Sequence, residues 1–348
     1  MSNLSCAPPT DVDRLRRPDF LLSLVAGFII TGVTFYYAYL ALCLIWKTPT
    51  YERTAKTLLS QLLFFSVMYE IFYCIEEFIS FYKSIFDFFG IYQECIPLQS
   101  ALDCALRFKC LMGFTSGMIY NQTGLIIERL FATIFTEKYT NKIKLNIRVI
   151  VFWVVPLSSI LTAYLIVLDD PLEGYVFACY VIPRQSILRT KIFLVTCFVL
   201  TLLVSIMALL IRKHNKKYEF STRFKVSSRF QNRQAIETTN TICILSLFSS
   251  IFLFIYTVGI FVLLAVRPSI SPFVFNIFVT YVYVSFQSLT FKQKFDFQTI
   301  PFVAFMIPHL IIYRIRVTRR KRVHALNGFA QVKQTQDEHI NELRVMWS

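Results

Sequence analysis

Long apolar runs broken by short charged stretches recur along the whole chain, and their length sets the first expectation. A bilayer core about 30 Å thick is crossed by about 20 helical residues, so each run of that length with few charges predicts a membrane-spanning helix. Six runs meet this directly: Phe20 to Trp46, Leu58 to Tyr82, Leu106 to Phe131, Ile147 to Leu168, Ile192 to Ile211 and Thr241 to Val266. Apolar character resumes from Phe273 to Phe291, is interrupted by Lys292, Lys294 and Asp296, and returns from Thr299 to Tyr313. That last stretch holds one span or two.

Charge parity arbitrates, because cytoplasmic loops collect Lys and Arg while acidic residues carry little orientation information. The first, third and fifth loops are the basic ones: Lys47, Arg53 and Lys56; then Arg129, Lys138, Lys142, Lys144 and Arg148; then eight cations from Arg212 to Arg233. The second loop offers chiefly Lys83, and the fourth sets Arg184, Arg189 and Lys191 beside Asp169, Asp170 and Glu173. The N-terminus is therefore expected outside. The tail with Arg314, Arg316, Arg319, Arg320, Lys321 and Arg322 belongs in the cytosol, which requires an odd number of crossings. Seven spans satisfy this and eight do not. The seventh is placed within Tyr281 to Ile311, and the basic segment after Pro308 suits an amphipathic helix bending along the membrane surface. The expectation is an all-α integral membrane bundle: an extracellular segment over 1–19, seven transmembrane helices over 20–313, and a basic cytoplasmic tail over 314–348.

Composition agrees with a lipid solvent. With 55% hydrophobic and 16% charged residues, a chain of 348 residues has too little polar surface to coat a globule in water. The net charge of +15 is scattered between apolar blocks, which fits loop anchoring and argues against nucleic acid as a partner. Pro8, Pro9 and mixed charges precede the first apolar run, a layout unlike a cleaved signal peptide. Nine cysteines show no CxxC spacing and four histidines no cluster, so neither a metal nor a cofactor is expected. No Ser/His/Asp arrangement or phosphate-binding glycine loop points to an enzyme.

Several charged or reactive residues nevertheless sit where charge is costly. Glu128 and Arg129 close the third span, and an arginine there can pair locally at rest and reach a docked partner when the helices part. Cys104 lies 25 positions earlier, roughly 37 Å away along a helix, and so at the opposite membrane face. Cys179 is the single cysteine of the fourth loop on that side, where a disulfide would persist. Cys104 to Cys179 is the expected bridge, with Cys95 and Cys110 competing. Glu70 lies about 18 Å into the second span and must face the bundle. Glu76 and Glu77 fall at nearly the level of Arg107 and Lys109 on the third span. An ion-paired cluster is expected there, either part of a ligand pocket or a structural lock. Asn3 begins the sequon Asn3-Leu4-Ser5 on the expected outer side, whereas the one at Asn121 is buried within a span and discounted.

Glu128-Arg129-Leu130-Phe131-Ala132-Thr133, continuing to Tyr139, resembles the ER-x-x-AT...Y pattern of nematode serpentine chemoreceptors, a group of G-protein-coupled receptors. Within them, Ser228-Arg229-Phe230-Gln231 resembles class epsilon, called Sre. Two departures are the Ile300 before Pro301, where an Asn would be expected, and the apolar stretch Phe273 to Lys294. The resemblance implies a plasma-membrane receptor of sensory neurons and their cilia. It would detect an external small molecule and signal through a heterotrimeric G protein, with Glu128, Arg129, Arg229 and Phe230 at the coupling face. The competing reading is a transporter or channel using the intramembrane carboxylates.

Overall fold

The computed structural model describes residues 18–48, 51–89, 98–134, 141–168, 170, 175–176, 179, 187–218, 226–266 and 302–320, with 323–324 and 327. Within them lie α1 (Pro18–Lys47), α2 (Arg53–Phe88), β1 (Gln99–Ser100), α3 (Ala101–Ile134), α4 (Asn141–Val167), β2 (Tyr175–Val176), α5 (Ile187–Tyr218) and α6 (Val226–Val266). A further helix, α7, covers 302–320. The fold is a helical membrane bundle with one two-residue strand pair among the described residues. Five of these helices are long and apolar enough to cross a membrane on their own composition.

The helix from Ala101 is not among those five, and its place in the bundle explains why. It packs against α2, α4, α5 and α6, so its neighbours are protein on most sides and the polar residues of its middle and far end are turned inward. Thr115, Ser116, Asn121, Gln122, Glu128 and Arg129 are all buried. With its side-chain amide in the orientation that satisfies both neighbours, Asn121 bridges to α2, the nitrogen donating to the Leu58 carbonyl and the oxygen accepting the Leu62 N–H, both at 3.2 Å. Tyr120 shares a 2.9 Å hydrogen bond with Thr162 of α4, and the Ser159 hydroxyl donates to the Gly113 carbonyl. Close approach needs small residues here. A Cβ on Gly117 would fall 2.5 Å from the Phe65 ring of α2, and one on Gly124 would fall 2.6 Å from Val151 Cγ1 of α4.

The last described helix closes the bundle against α1, α2 and α6. Ser66 donates to the Ala304 carbonyl at 2.9 Å, the His309 ring lies tilted 3.7 Å from that of Tyr37, and Phe302 lies 5.2 Å from Phe252. Ile307, Ile311, Ile312 and Ile315 join the main apolar core. The helix therefore passes through Pro308 without a break and carries Arg314 to Arg320 as its own continuation, which corrects the expected bend along the surface. The earlier part of the seventh span lies outside the described residues.

Two other boundaries move. Lys83 is 6% exposed within α2, so it is a bundle residue and not an outer-loop cation. The basic fifth loop is largely helix: Arg212 to Lys217 extend α5, while Arg229 and Arg233 lie in the first turns of α6.

Candidate functional site

The two ends of α3 carry the chemistry. At its start, Ser100 caps the helix: its hydroxyl oxygen accepts the Asp103 N–H at 3.1 Å while the hydroxyl donates to the Asp103 carboxylate at 2.8 Å. Ser100 also belongs to β1, which pairs antiparallel with β2 in the register Gln99 to Val176 and Ser100 to Tyr175. Cys104, one turn into α3, is disulfide-bonded to Cys179, with Cα atoms 4.9 Å apart. The competitor Cys110 is free, and Cys95 lies outside the described residues.

Glu76 ties this end to α2. It is 1% exposed, forms an ion pair of 2.8 Å with Arg107, and accepts the Cys179 N–H at 3.2 Å. Arg107 also donates to the Gln99 side-chain oxygen. One buried carboxylate thus joins α2, α3 and the segment before α5.

The single cluster expected of Glu70, Glu76, Glu77, Arg107 and Lys109 is divided three ways. Glu70 is fully buried and accepts a hydrogen bond of 3.2 Å from Thr31 of α1. Glu77, two turns along the same face, lies against α1 so closely that a Cβ on Gly27 would fall 2.5 Å from Glu77 Oε2. Glu76 faces α3 instead, being offset by about 100° around the helix. Arg107 and Lys109 are two residues apart and point to nearly opposite sides of α3. Lys109 consequently turns from the carboxylates and stands 5.6 Å from the Tyr164 ring centroid of α4.

At the far end of α3, Glu128 and Arg129 are both buried, and Arg129 ion-pairs with Glu128 through two nitrogens. A second carboxylate, Glu52, approaches the same guanidinium at 3.4 Å. Glu52 is the residue preceding α2 and makes no side-chain capping bond there, because its carboxylate is turned to Arg129. Sequence reasoning passed over it. The signal was present, since Glu52 is the lone acid among the cations Lys47, Arg53 and Lys56 of that junction. α5 and α6 both pack against α3, which carries this site. Arg229 and Phe230 lie on α6 at the same end of the bundle, but their side chains are outside the described set, as is Asn3. Among the described residues no group of His, Cys, Asp and Glu is arranged to hold a metal ion.

This architecture of a polar central helix with a buried arginine at one end and a disulfide at the other agrees with what the sequence is similar to. The profile of the family "Serpentine type 7TM GPCR chemoreceptor Sra" matches residues 1–347. Serpentine receptor class alpha-6 of Caenorhabditis elegans is 38% identical over 348 residues, covering all of both chains. Serpentine receptor class alpha-9 and class alpha-3 of the same organism are 36% and 35% identical, again over all of both chains. The likeness is to class alpha, which corrects the class epsilon resemblance of Ser228 to Gln231. Four residues on one helix are outweighed by similarity along the full length.

Proposed function

We propose, from the premise that this chain belongs to the Sra family of serpentine seven-transmembrane chemoreceptors, that the Glu52–Arg129–Glu128 cluster is its activation switch. The protein is a chemosensory G-protein-coupled receptor. Its work is a conformational equilibrium rather than catalysis, and a ligand shifts that equilibrium only by its differential affinity for the two states.

The observation that carries the reading is the burial of Arg129, 1% exposed, between two carboxylates from different parts of the chain. Holding the guanidinium inside keeps it from any partner. When α5 and α6 move away from α3, Arg129 is released to a docked G protein, and the cations at the start of α6, including Arg229, add to the docking face beside Phe230. Basic residues at this end of α4, α5, α6 and α7 support a cytosolic orientation, with the N-terminus and Asn3 outside. The receptor then stands in the plasma membrane of sensory neurons, at their cilia, with a small external ligand entering from the disulfide end. Glu70, Glu76, Glu77 and Arg107 lie on the inner faces that such a ligand would reach. For the carboxylates, roles in helix-to-helix bonding leave the transporter reading without a specific observation in its favour.

The test is agonist-driven nucleotide exchange on a heterotrimeric G protein in membranes holding the receptor, with ligand binding measured in parallel. Arg129→Ala is expected to abolish exchange while leaving binding within about tenfold of the parent. Full exchange in Arg129→Ala at normal surface density would overturn the switch.

A further inference from the structure

Where α2, α3 and α4 diverge, the outside of the bundle carries a groove of about 760 Å³ that the switch does not use. Its walls include Phe64, Phe152, Ile160 and Tyr164, all exposed on the surface turned to lipid. Gly113 and Ala163 form a low floor between them. The groove follows α4 from Tyr164 to Phe152, 12 residues or about 18 Å. One leaflet of a bilayer has about 15 Å of hydrocarbon, so the groove has the length of a single tail. Toward the Arg129 end it is shut by Trp46, whose indole donates to Ser60 at 3.2 Å, and by Gln61, whose amide donates to the Phe152 carbonyl at 3.2 Å.

The other end holds Lys109. Its ammonium stands over the Tyr164 ring, three residues from the end of α4 and therefore about 4.5 Å from the helix terminus. Among the described residues no carboxylate pairs with it. A lysine on an otherwise apolar wall, at the edge of the hydrocarbon, attracts an anion that arrives with an apolar body.

We propose that this groove binds a long-chain fatty acid from the leaflet at the disulfide end, its carboxylate on Lys109 and its chain laid along α4. A carboxylate without a headgroup can sit at the hydrocarbon edge, where a phosphodiester would have to be drawn inward from the headgroup layer. Phosphatidylcholine also brings its own ammonium, which Lys109 repels. The site opens sideways to lipid, so it fills by lateral diffusion and is separate from the bundle interior.

The experiment uses the purified full chain in phosphatidylcholine nanodiscs with two photoreactive probes of equal length, a diazirine hexadecanoic acid and a diazirine hexadecanol. Labelling of α4 between Phe152 and Tyr164 is read by peptide mass spectrometry. The acid is expected to label this segment about five-fold more than the alcohol, in line with one partly exposed ion pair of about 1 kcal/mol. Lys109→Gln should reduce the acid to the level of the alcohol, Lys109→Arg should retain the preference, and Ile160→Trp, which fills the groove from its exposed wall, should reduce labelling by both. In the unmodified protein, excess unlabelled hexadecanoic acid should displace the label, a control that needs no variant. Equal labelling by acid and alcohol reduces the groove to ordinary lipid contact and overturns the proposal. Displacement by phosphatidic acid but not by hexadecanoic acid assigns the groove to a phospholipid, which also overturns it.

Discussion

The two ends of α3 are held by different kinds of bond. At the start, a disulfide, a two-residue strand pair and the buried Glu76 carboxylate fasten the segment before α5 onto α2 and α3. At the finish there is no covalent link among the described residues, and the arginine is kept by two carboxylates, one of them a third exposed. A covalent staple fixes geometry in every state, whereas an ion pair with a partly hydrated partner is cheap to exchange. The arrangement places a covalent joint at one face and an exchangeable one at the other, which is what the proposed switch needs if binding at one end is to open the opposite end.

The largest expected effect comes from cutting the staple. Cys179→Ser opens a loop spanning a sequence separation of 75, for which the chain-entropy relation gives about 4.5 kcal/mol. Surface expression should fall several-fold, and thermal unfolding in detergent should occur well below that of the parent. Cys104→Ser should do the same, and the double variant should be no worse than either single one. Normal expression and unfolding in Cys179→Ser would show that the strand pair and Glu76 suffice, and would erase the contrast between the ends.

Next in size is the ion pair beneath that staple. Arg107→Met takes away the ion-pair partner of the buried Glu76 carboxylate, leaving it the Cys179 N–H and the charge of Lys83, and breaking a buried pair this way costs about 3 kcal/mol. Glu76→Gln with Arg107→Met should recover part of that loss, because the stranded charge is gone. Strict additivity of the two changes in thermal unfolding would mean that the pair carries no coupling of its own. Gly117→Leu is expected to cost about 1–3 kcal/mol, since Phe65 must leave its place to admit a side chain between α2 and α3. An unchanged unfolding temperature there would show that the two helices are not held at close range.

How far these contacts could be seen in advance depends on their range. The spans were legible because lipid acts on every residue of a 20-residue run at once. The polar α3 was legible as a span because Leu106 to Phe131 is long enough and carries few charges, although its hydropathy falls short of the five most apolar helices. Whether Cys104 pairs with Cys179 rested on sidedness, and the structure joins them. The strand pair was invisible, since Gln99-Ser100 and Tyr175-Val176 are two-residue segments brought together by the disulfide and the Glu76 contacts beside them. The division of the charged cluster was readable and was missed: residues 107 and 109 cannot face one way on a helix, and 70 and 77 share a face that 76 does not. Glu52 required knowing that α2 begins within reach of the end of α3, which no local pattern states. Helix ends moved outward because α2, α5 and α6 continue past the hydrocarbon into water, where hydropathy no longer marks them.

The smallest effect separates the ends most sharply. Glu52 is a third exposed, so its attraction for Arg129 is screened and contributes at most about 1 kcal/mol. Removing it cannot release the guanidinium, because Glu128 stays in place on the same helix. What it removes is the bond between the switch and the start of α2, which stabilises the closed state alone. Glu52→Gln is therefore expected to raise ligand-independent nucleotide exchange by at most about five-fold, with surface expression and thermal unfolding unchanged. The gain should shrink as ionic strength rises, since an exposed pair is screened by salt and a buried one is not. Glu128→Gln, acting on a fully buried partner, should give a larger rise that salt does not alter. If Glu52→Gln instead lowered basal exchange, the carboxylate would be holding Arg129 in its active position, and the arginine end would be stabilised in the open state rather than the closed one.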